Sequence, residues 1–497
     1  MIKKILIANR GEIAVRIARA CKEMKIISVA VYSDADKNSL HVRMADEAYN
    51  IGEAVAAASY LNGDKIIALA KEVGADAIHP GYGFLSENAE FIKKCEKAGL
   101  IFIGPSSKSV KMMGDKTTAR TIMKKHNVPI VPGSTKGINS LEEAKKITLR
   151  IGLPVMLKAS AGGGGKGMRK IEKIEELQEA INRAKNEAKN AFGNDTVYIE
   201  KFIENPKHIE VQILADKHGN YIHLFERDCS IQRRHQKVVE EAPAPTITED
   251  LRAKVTKAAI DAAKAVNYYN AGTIEFLYDQ KENFYFLEMN TRLQVEHPVT
   301  EYITGIDIVK EQIKIAQGEK LSVKQDKLKI NGHAVECRIY AEDVDTNFSP
   351  STGKILYHRL PSGPGIRVDC GIDISSDVTV YYDPMLSKVV AYGASREEAL
   401  ERMKRALSEY QIAGVKTNIC FFEWILNHPD FCNGNFDINF LDNTFIPLLP
   451  DKWKEKNEEL EEVASVLSVI LKDNDMKIKP FRRKENFNNK WGNLYYE

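Results

Sequence analysis

The stretch from Asn270 to Glu301, NAGTIEFLYDQKENFYFLEMNTRLQVEHPVTE, constrains this chain most. Two runs rich in β-branched and aromatic residues, TIEFLY and FYFLEM, flank the polar segment DQKEN, a pattern that predicts a β-hairpin. A turn centred on Lys281 and Glu282 sets Glu275 directly opposite Glu288. Facing side chains on paired strands lie about 5 Å apart, so two ionised carboxylates there repel by roughly 3 kcal/mol at an effective dielectric of about 20. Something positive should sit between them. Asn290 follows Glu288 on the same face of the strand, and two carboxylates plus an amide suit a hard cation, Mg²⁺ or Mn²⁺. The competing reading is a plain hairpin with one wet face and two incidental glutamates. Phe284, Tyr285, Phe286 and Leu287 put apolar groups on both faces, however, as expected of a buried strand running out into a cleft. Past the strand, Arg292, Gln294, Glu296 and His297 form a dense polar cluster that ends at Pro298.

A chain of 497 residues exceeds one ordinary core and suggests about three domains. Lys and Arg number 71 against 69 Asp and Glu, so no global field recommends a nucleic acid or membrane partner. No apolar run is long enough to span a bilayer. The start, MIKKILIANRGE, has too short an apolar stretch for a signal peptide, which predicts a cytoplasmic enzyme. Cys21, Cys95, Cys229, Cys337, Cys370, Cys420 and Cys432 show no C-x-x-C spacing and are expected to be reduced, buried small hydrophobes.

Residues 1–115 alternate short apolar runs with helical patterns, the signature of β-α-β units and a parallel, Rossmann-like sheet. The first turn, NRGEIAVRIARA, holds only Gly11, whereas a dinucleotide fingerprint needs three glycines at set spacing. HPGYGFLSEN (79–88) follows a strand and reads as a loop at the sheet's carboxyl edge, or as a plain tight turn. From 116 to 330 helices mix with hairpins. Residues 331–446 are mostly strand-like before two closing helices, and 447–497 is a polar tail with one amphipathic stretch, EELEEVASVLSVILKD, that could dock a partner. The fold class is therefore α/β, with an N-terminal Rossmann-like domain, a central domain and a C-terminal mixed α+β domain.

Within the central region, LPVMLKAS reads as a strand, AGGGGKG (161–167) as a glycine loop and MRKIE as a returning strand. Backbone N–H groups free of side chains, flanked by Lys158 and Lys166, fit a lid over phosphates better than a floppy linker. Gly167 stands where a Walker A loop requires Ser or Thr, which excludes that motif. ERDCSIQRRHQKVVEEAPAP (226–245) packs Arg227, Arg233, Arg234, His235 and Lys237 just before the acidic hairpin. A solvated charge run is the ordinary explanation, but together with the hairpin these residues could bind an anion and its metal. Arg338, alone on the strand AVECRIY, reads by itself as an ion-pair residue.

Taken in order, IANRGEIAVRI, HPGYGFLSEN, MGDK, KASAGGGGKGM, the basic segment, the acidic hairpin, GHAVECRIYAED and GVKTN cover residues 1–446 and resemble biotin carboxylase, an ATP-grasp enzyme. Ala161 and Lys166 are mild departures. The resemblance implies an ATP-grasp fold for 116–330 and phosphorylation of bicarbonate by ATP to carboxyphosphate, which delivers CO₂ to biotin. It implies that Lys116, Lys158, Gly164, Gly165, Lys201, His208 and His235 hold the nucleotide, with Glu200 and Ile203 at the adenine hinge. Glu275 and Glu288, helped by Asn290, would carry the metal ions that neutralise phosphoryl charge. Lys237, Arg292, Gln294 and Val295 would pin bicarbonate, Glu296 would be the general base, and Arg338 would stabilise the oxyanion of deprotonated biotin, with Tyr82 lining its site.

No A-M-K-M-type biotinylation signal is present; Asp475-Met476-Lys477-Ile478 comes nearest. Biotin is therefore expected on another polypeptide, a carrier or carboxyltransferase subunit. The extended tail resembles that of the biotin carboxylase component of prokaryotic two-subunit pyruvate carboxylases. The resemblance also implies a homodimer within a hetero-oligomer. Acetyl-CoA or propionyl-CoA carboxylase would use nearly the same component. Another ATP-grasp ligase, joining a carboxylate to an amine, would share the metal hairpin and lysines but ignore biotin, and a non-catalytic nucleotide-binding regulator would have no use for Glu296.

Overall fold

Apolar strands alternating with amphipathic helices begin the chain, and in the computed structural model, which describes residues 1–160 and 168–449, they close into a parallel sheet. Strands β1 (Lys4–Ile7), β2 (Ile27–Tyr32), β3 (Glu47–Asn50), β4 (Ala77–His79) and β5 (Ile101–Phe102) lie in the order β3-β2-β1-β4-β5. The order reverses between β1 and β4, so a crevice opens beyond their carboxyl ends. Asn9 holds the two loops there together, donating to the carbonyls of Pro80 and Tyr82 at 2.7 Å each. Gly81 sits at φ +61°, and a Cβ at this position would meet Asn9 Nδ2 at 2.9 Å, so only glycine lets the loops approach. The helix Gly11–Glu23 buries Ile13, Ile17 and Cys21 between Ile5 and Ile7 of the sheet and Ile308, Val309 and Ile313 of a later helix.

Strands β6 (Val155–Ala159), β7 (Arg169–Ile171) and β8 (Val197–Lys201) form a small antiparallel sheet, β7-β6-β8. Val155, Leu157, Val197 and Ile199 bury one face of it against the helices Leu141–Ile151 and Leu177–Phe192. The expected glycine loop, including Gly164 and Gly165, falls outside the described residues.

The larger strands that follow build one antiparallel sheet. They are β9 (Lys207–Ala215), β10 (Tyr221–Arg233), β11 (Gln236–Ala242), β12 (Asn270–Tyr278), β13 (Phe284–Asn290), β14 (His333–Tyr340), β15 (Ile366–Cys370) and β16 (Met385–Gly393), in the order β13-β12-β9-β10-β11-β14-β16-β15. The sheet therefore runs without a break from the segment before residue 330 into the segment after it, through the β11–β14 pairing. Val255, Ala259 and Ala262 of the helix Glu249–Ala265 pack on Val211, Phe276 and Phe286. Met1–Phe445 is one packed unit; of the unit Ile446–Glu497, the amphipathic stretch and basic end lie outside the described residues. Among the described residues, no helix is long and apolar enough to cross a membrane. All seven cysteines are free, and five are buried as expected; Cys420 is instead exposed and Cys432 half-buried, because both lie on the short helices that close the packed unit.

Glu241 on β11 ties the sheet to a later helix. It accepts from His333 at 2.8 Å on β14 and from Arg396 Nε at 2.7 Å. Burial alone would push the carboxyl up, but His333 and Arg396 outweigh it and hold the pKa at about 2 against an ordinary 4.5. A depressed carboxyl contributes stability above its unfolded pKa and loses it as pH falls through the folded one. Glu241→Gln is expected to cost about 3 kcal/mol at neutral pH, with the difference vanishing toward pH ~2. Urea unfolding across that range checks this; a difference independent of pH would contradict it.

Candidate active site

The acidic hairpin forms in the expected register, with Glu275 opposite Glu288 and Thr273 opposite Asn290. Immediately beyond, the register slips: Phe276 pairs with Phe286, leaving Leu287 as the extra residue of a β-bulge. The bulge reconciles two demands. It sends Phe276 and Phe286, both buried, into the core while Glu275 and Glu288 line a cleft of about 440 Å³. Of the four apolar residues only Phe286 is buried, Phe284, Tyr285 and Leu287 being half-buried, so apolar groups on both faces marked a local break in alternation rather than a fully buried strand.

At the floor of that cleft the ammonium of Lys237, from β11, lies among three carboxylates. It donates to Glu275 at 2.9 Å, to Glu296 at 2.7 Å and to Glu210 of β9. Each acid has a second cation. Arg227, fully buried on β10, bonds Glu210 at 2.5 Å; Arg338 on β14 bonds Glu296 at 2.8 Å; His208 on β9 stands 3.3 Å from Glu275. Burial opposes charge on every member, yet Lys237 is raised well above the ordinary lysine range and Glu210, Glu275 and Glu296 are all lowered by their cationic neighbours. His208 follows the same logic: burial lowers it, but Glu275 and Glu210 outweigh that and lift it to about 9. His208, Glu210 and Glu275 have metal-like spacing, with Lys237 bonded to both carboxylates.

Glu288 differs from these acids. Its side chain is 36% exposed and its cationic neighbour, Lys116, is 3.4 Å away, so its oxygens remain open to the cleft. Opposed to Glu275, it completes an all-oxygen pair that fits a hard divalent cation. Asn290 stands beside them, its amide nitrogen donating to Glu275 at 2.8 Å and its oxygen accepting from Arg292 at 2.8 Å.

Lys116, Lys158, Glu200, Lys201, Ile203 and His235 line the same cleft. Glu200 spends its carboxylate on Lys158 and on Arg120, the latter at 2.9 Å, so its side chain positions Lys158. Lys201 donates to the carbonyls of Gly152 and Leu153. Arg234 and His235 stand exposed with positive φ at the β10–β11 turn. Sequence reasoning missed the cleft's apolar wall, Met156, Met168, Phe202 and Leu277, whose members lie on separate segments and carry no local signal. It also missed Glu87, which accepts from Thr291 and Arg292 and so docks the 79–88 loop on the segment after the hairpin.

The basic cluster of 226–245 does not act as one anion site. Arg227 is fully buried and spent on Glu210, Gln212, Thr273, Gln294 and Thr300, while Arg233 pairs with Glu342 at 2.7 Å and stacks 3.9 Å over Phe348. Alternation along a long, bulged strand puts these guanidiniums into the interior, away from the cleft. Gln294 is likewise engaged, donating to Glu275 at 2.9 Å and accepting from Arg227, and Val295 offers its carbonyl to Lys388 at 2.6 Å.

Tyr82 lines a different pocket, of about 510 Å³, in the crevice beyond β1 and β4. Its hydroxyl donates to Glu12. The two pockets share four wall residues: Gln236, Arg292, Val295 and Arg338. Arg338 is therefore more than a strand ion pair; buried between Glu240 at 2.5 Å and Glu296 at 2.8 Å, it stands on the seam between both cavities. Arg10, stacked 4.2 Å over Tyr382, and Asp383 complete the second pocket and were not foreseen.

Family models match nearly the whole described unit: the biotin carboxylase N-terminal domain over residues 1–110, the carbamoyl-phosphate synthase L chain ATP-binding domain over 115–324, and the biotin carboxylase C-terminal domain over 336–443. The chain is 51% identical to a pyruvate carboxylase subunit of Methanothermobacter thermautotrophicus over 95% of its own length and 96% of that protein. It is 54% identical to biotin carboxylase 1 of Bacillus subtilis over 89% and 98% respectively. The biotin carboxylase domain dimer of Hydrogenobacter thermophilus 2-oxoglutarate carboxylase, solved with MgADP, ADP and bicarbonate, superposes with a TM-score of 0.86 at 51% identity, covering 89% of this chain and 98% of that one. The chain belongs to the biotin carboxylase family of ATP-dependent ligases.

Arg227→Met is expected to lower unfolding free energy by about 3–5 kcal/mol, because it strands the buried Glu210 carboxylate. Denaturant unfolding measures this; a change under about 1 kcal/mol would show that Lys237 alone holds Glu210.

Proposed function

We propose that the chain catalyses the first half-reaction of a two-subunit pyruvate carboxylase, using ATP and bicarbonate to carboxylate biotin borne on a separate carrier or carboxyltransferase subunit. The observation that carries this reading is the shared wall of the two pockets: a cation, Arg338, stands where a phosphate-side cleft meets a second cavity of a size for a small bicyclic ligand, and it bonds an acid of the first cleft, Glu296, at 2.8 Å.

In the nucleotide cleft, Lys116, Lys158, Lys201, His208 and His235 hold ATP, Glu200 and Ile203 mark the adenine hinge, and Gly164 and Gly165 belong to the lid. Glu275 and Glu288, with Asn290, would hold Mg²⁺ or Mn²⁺, which when bound neutralises phosphate charge and orients the γ-phosphoryl group. Lys237, Arg292, Gln294 and Val295 gather bicarbonate at the seam. Glu296, kept ionised by Lys237 and Arg338, takes bicarbonate's proton. A bicarbonate oxygen then attacks the γ-phosphorus, ADP leaves, and carboxyphosphate breaks down to CO₂ and phosphate beside the second pocket. There Arg338 stabilises the ureido oxygen of biotin as its nitrogen gives its proton to the released phosphate and then bonds the carbon of CO₂, an oxyanion role suited to a desolvated guanidinium. Tyr82 lines that pocket.

In this reading residues 116–330 form the ATP-grasp domain, 1–115 and 331–446 supply most of the biotin pocket, and the tail from 447 is a candidate docking segment for a partner. The protein works in the cytoplasm as a homodimer within a hetero-oligomer. Pyruvate as acceptor rests on likeness to the Methanothermobacter protein along nearly the full length of both chains. The biotin carboxylase domain of a 2-oxoglutarate carboxylase is as similar to this chain, and the partner subunit sets the acceptor, so co-purification of that partner and assay with pyruvate, 2-oxoglutarate and acyl-CoA acceptors tests it.

Glu296→Ala and Arg338→Ala are each expected to abolish biotin-dependent ATP cleavage while leaving nucleotide binding within a few-fold; near-normal turnover in either would refute its role. Glu288→Gln is expected to raise the Mg²⁺ needed for half-maximal turnover, and an unchanged titration would argue against the hairpin metal site.

A further inference from the structure

Behind the seam lies a pair of acids that the half-reaction does not use. Glu240 on β11 and Glu336 on β14 face each other in register across the central sheet, both fully buried. Among the described residues, neither Glu336 oxygen has a hydrogen-bond partner, and the nearest donor to Glu240 is the Arg338 guanidinium, 2.5 Å from one of its oxygens. Two ionised carboxylates at cross-strand distance in a dry interior cannot both persist. The local charges make the same point. Arg338 and Lys237 already answer to Glu296, with Glu210 and Glu275 also drawing on Lys237, and Lys388 answers to Glu12 and Asp369. The Cys229 thiol on β10 and the Tyr340 phenol on β14, which also face Glu240, offer no positive charge. Too little cation is left to neutralise two further acids.

We propose that Glu240 and Glu336 are a proton-holding positioning pair: a proton kept on each leaves Arg338's charge undivided for Glu296 and for the biotin oxyanion. The inference deepens the proposed function and rests on the assignment of Arg338 to the biotin pocket. Its chemistry is simple. While the pair is protonated, Glu240 is a neutral neighbour of Arg338; once Glu240 ionises, it competes with substrate for the same guanidinium. Burial pushes Glu240 up to about 7 despite Arg338, and raises Glu336 well above the carboxylate range despite Lys388. Biotin turnover should therefore fall on the alkaline side as Glu240 loses its proton.

The test joins a spectroscopic readout to a kinetic one on the full chain. Infrared spectra of protein labelled with ¹³C-carboxyl glutamate are expected to show protonated glutamic acid carbonyl bands at neutral pH, one lost in Glu240→Gln and another perturbed or lost in Glu336→Gln. The alkaline fall of kcat/KM for free biotin is expected to shift to higher pH in Glu240→Gln, whose amide stays neutral. A parent spectrum with no protonated glutamate overturns the proposal without any variant. So do folded glutamine variants that keep every acid band, or an alkaline fall left in place by Glu240→Gln. An absence of biotin-dependent ATP cleavage in the parent, with the acid bands present, would overturn the proposed function instead and leave the proton pair standing.

Discussion

One buried ammonium organises this molecule's chemistry. Lys237 draws Glu210, Glu275 and Glu296 to within bonding distance of a single point, so that four different segments of the chain converge there. Three carboxylates around one cation are unstable alone, so the surrounding sheet supplies Arg227, Arg338 and His208 as second partners. The result is a preorganised lattice of alternating charge whose members cannot move singly. Such a lattice contributes little net stability compared with an apolar core, and it holds the Glu296 carboxylate and the desolvated Arg338 guanidinium at fixed positions.

The fold explains how distant segments meet there. The central antiparallel sheet extends from the hairpin at one edge to β15 at the other, so β9, β10, β11 and β14 bring their polar residues side by side. The parallel sheet contributes its switch-point crevice, and Glu87 fastens that crevice's loop to the segment carrying Arg292. Two cavities thus share a wall, on which Gln236, Arg292, Val295 and Arg338 stand.

Legibility in the sequence followed the range of the interactions. The hairpin register was readable because a short turn between two β-rich runs fixes which residues oppose, and the parallel sheet because its α/β alternation is local. The bulge at Leu287 left only an indirect trace, apolar residues on both faces. Arg227 and Arg233 were misjudged because a charge cluster in sequence says nothing about which face of a long strand each member takes. Glu210, Glu240 and Glu336 sit singly in apolar strands, and only the long-range order of strands makes them neighbours of the reaction centre. Family resemblance supplied the roles; the structure supplies the reason several of those side chains are already engaged with one another.

The most direct test of the charge lattice is Lys237→Gln, assayed for bicarbonate-dependent ATP cleavage alongside nucleotide affinity and circular dichroism. Cleavage is expected to fall by orders of magnitude while the protein stays folded and still binds nucleotide. Turnover close to that of the parent would show that the three acids do not depend on this ammonium, and would contradict its central place.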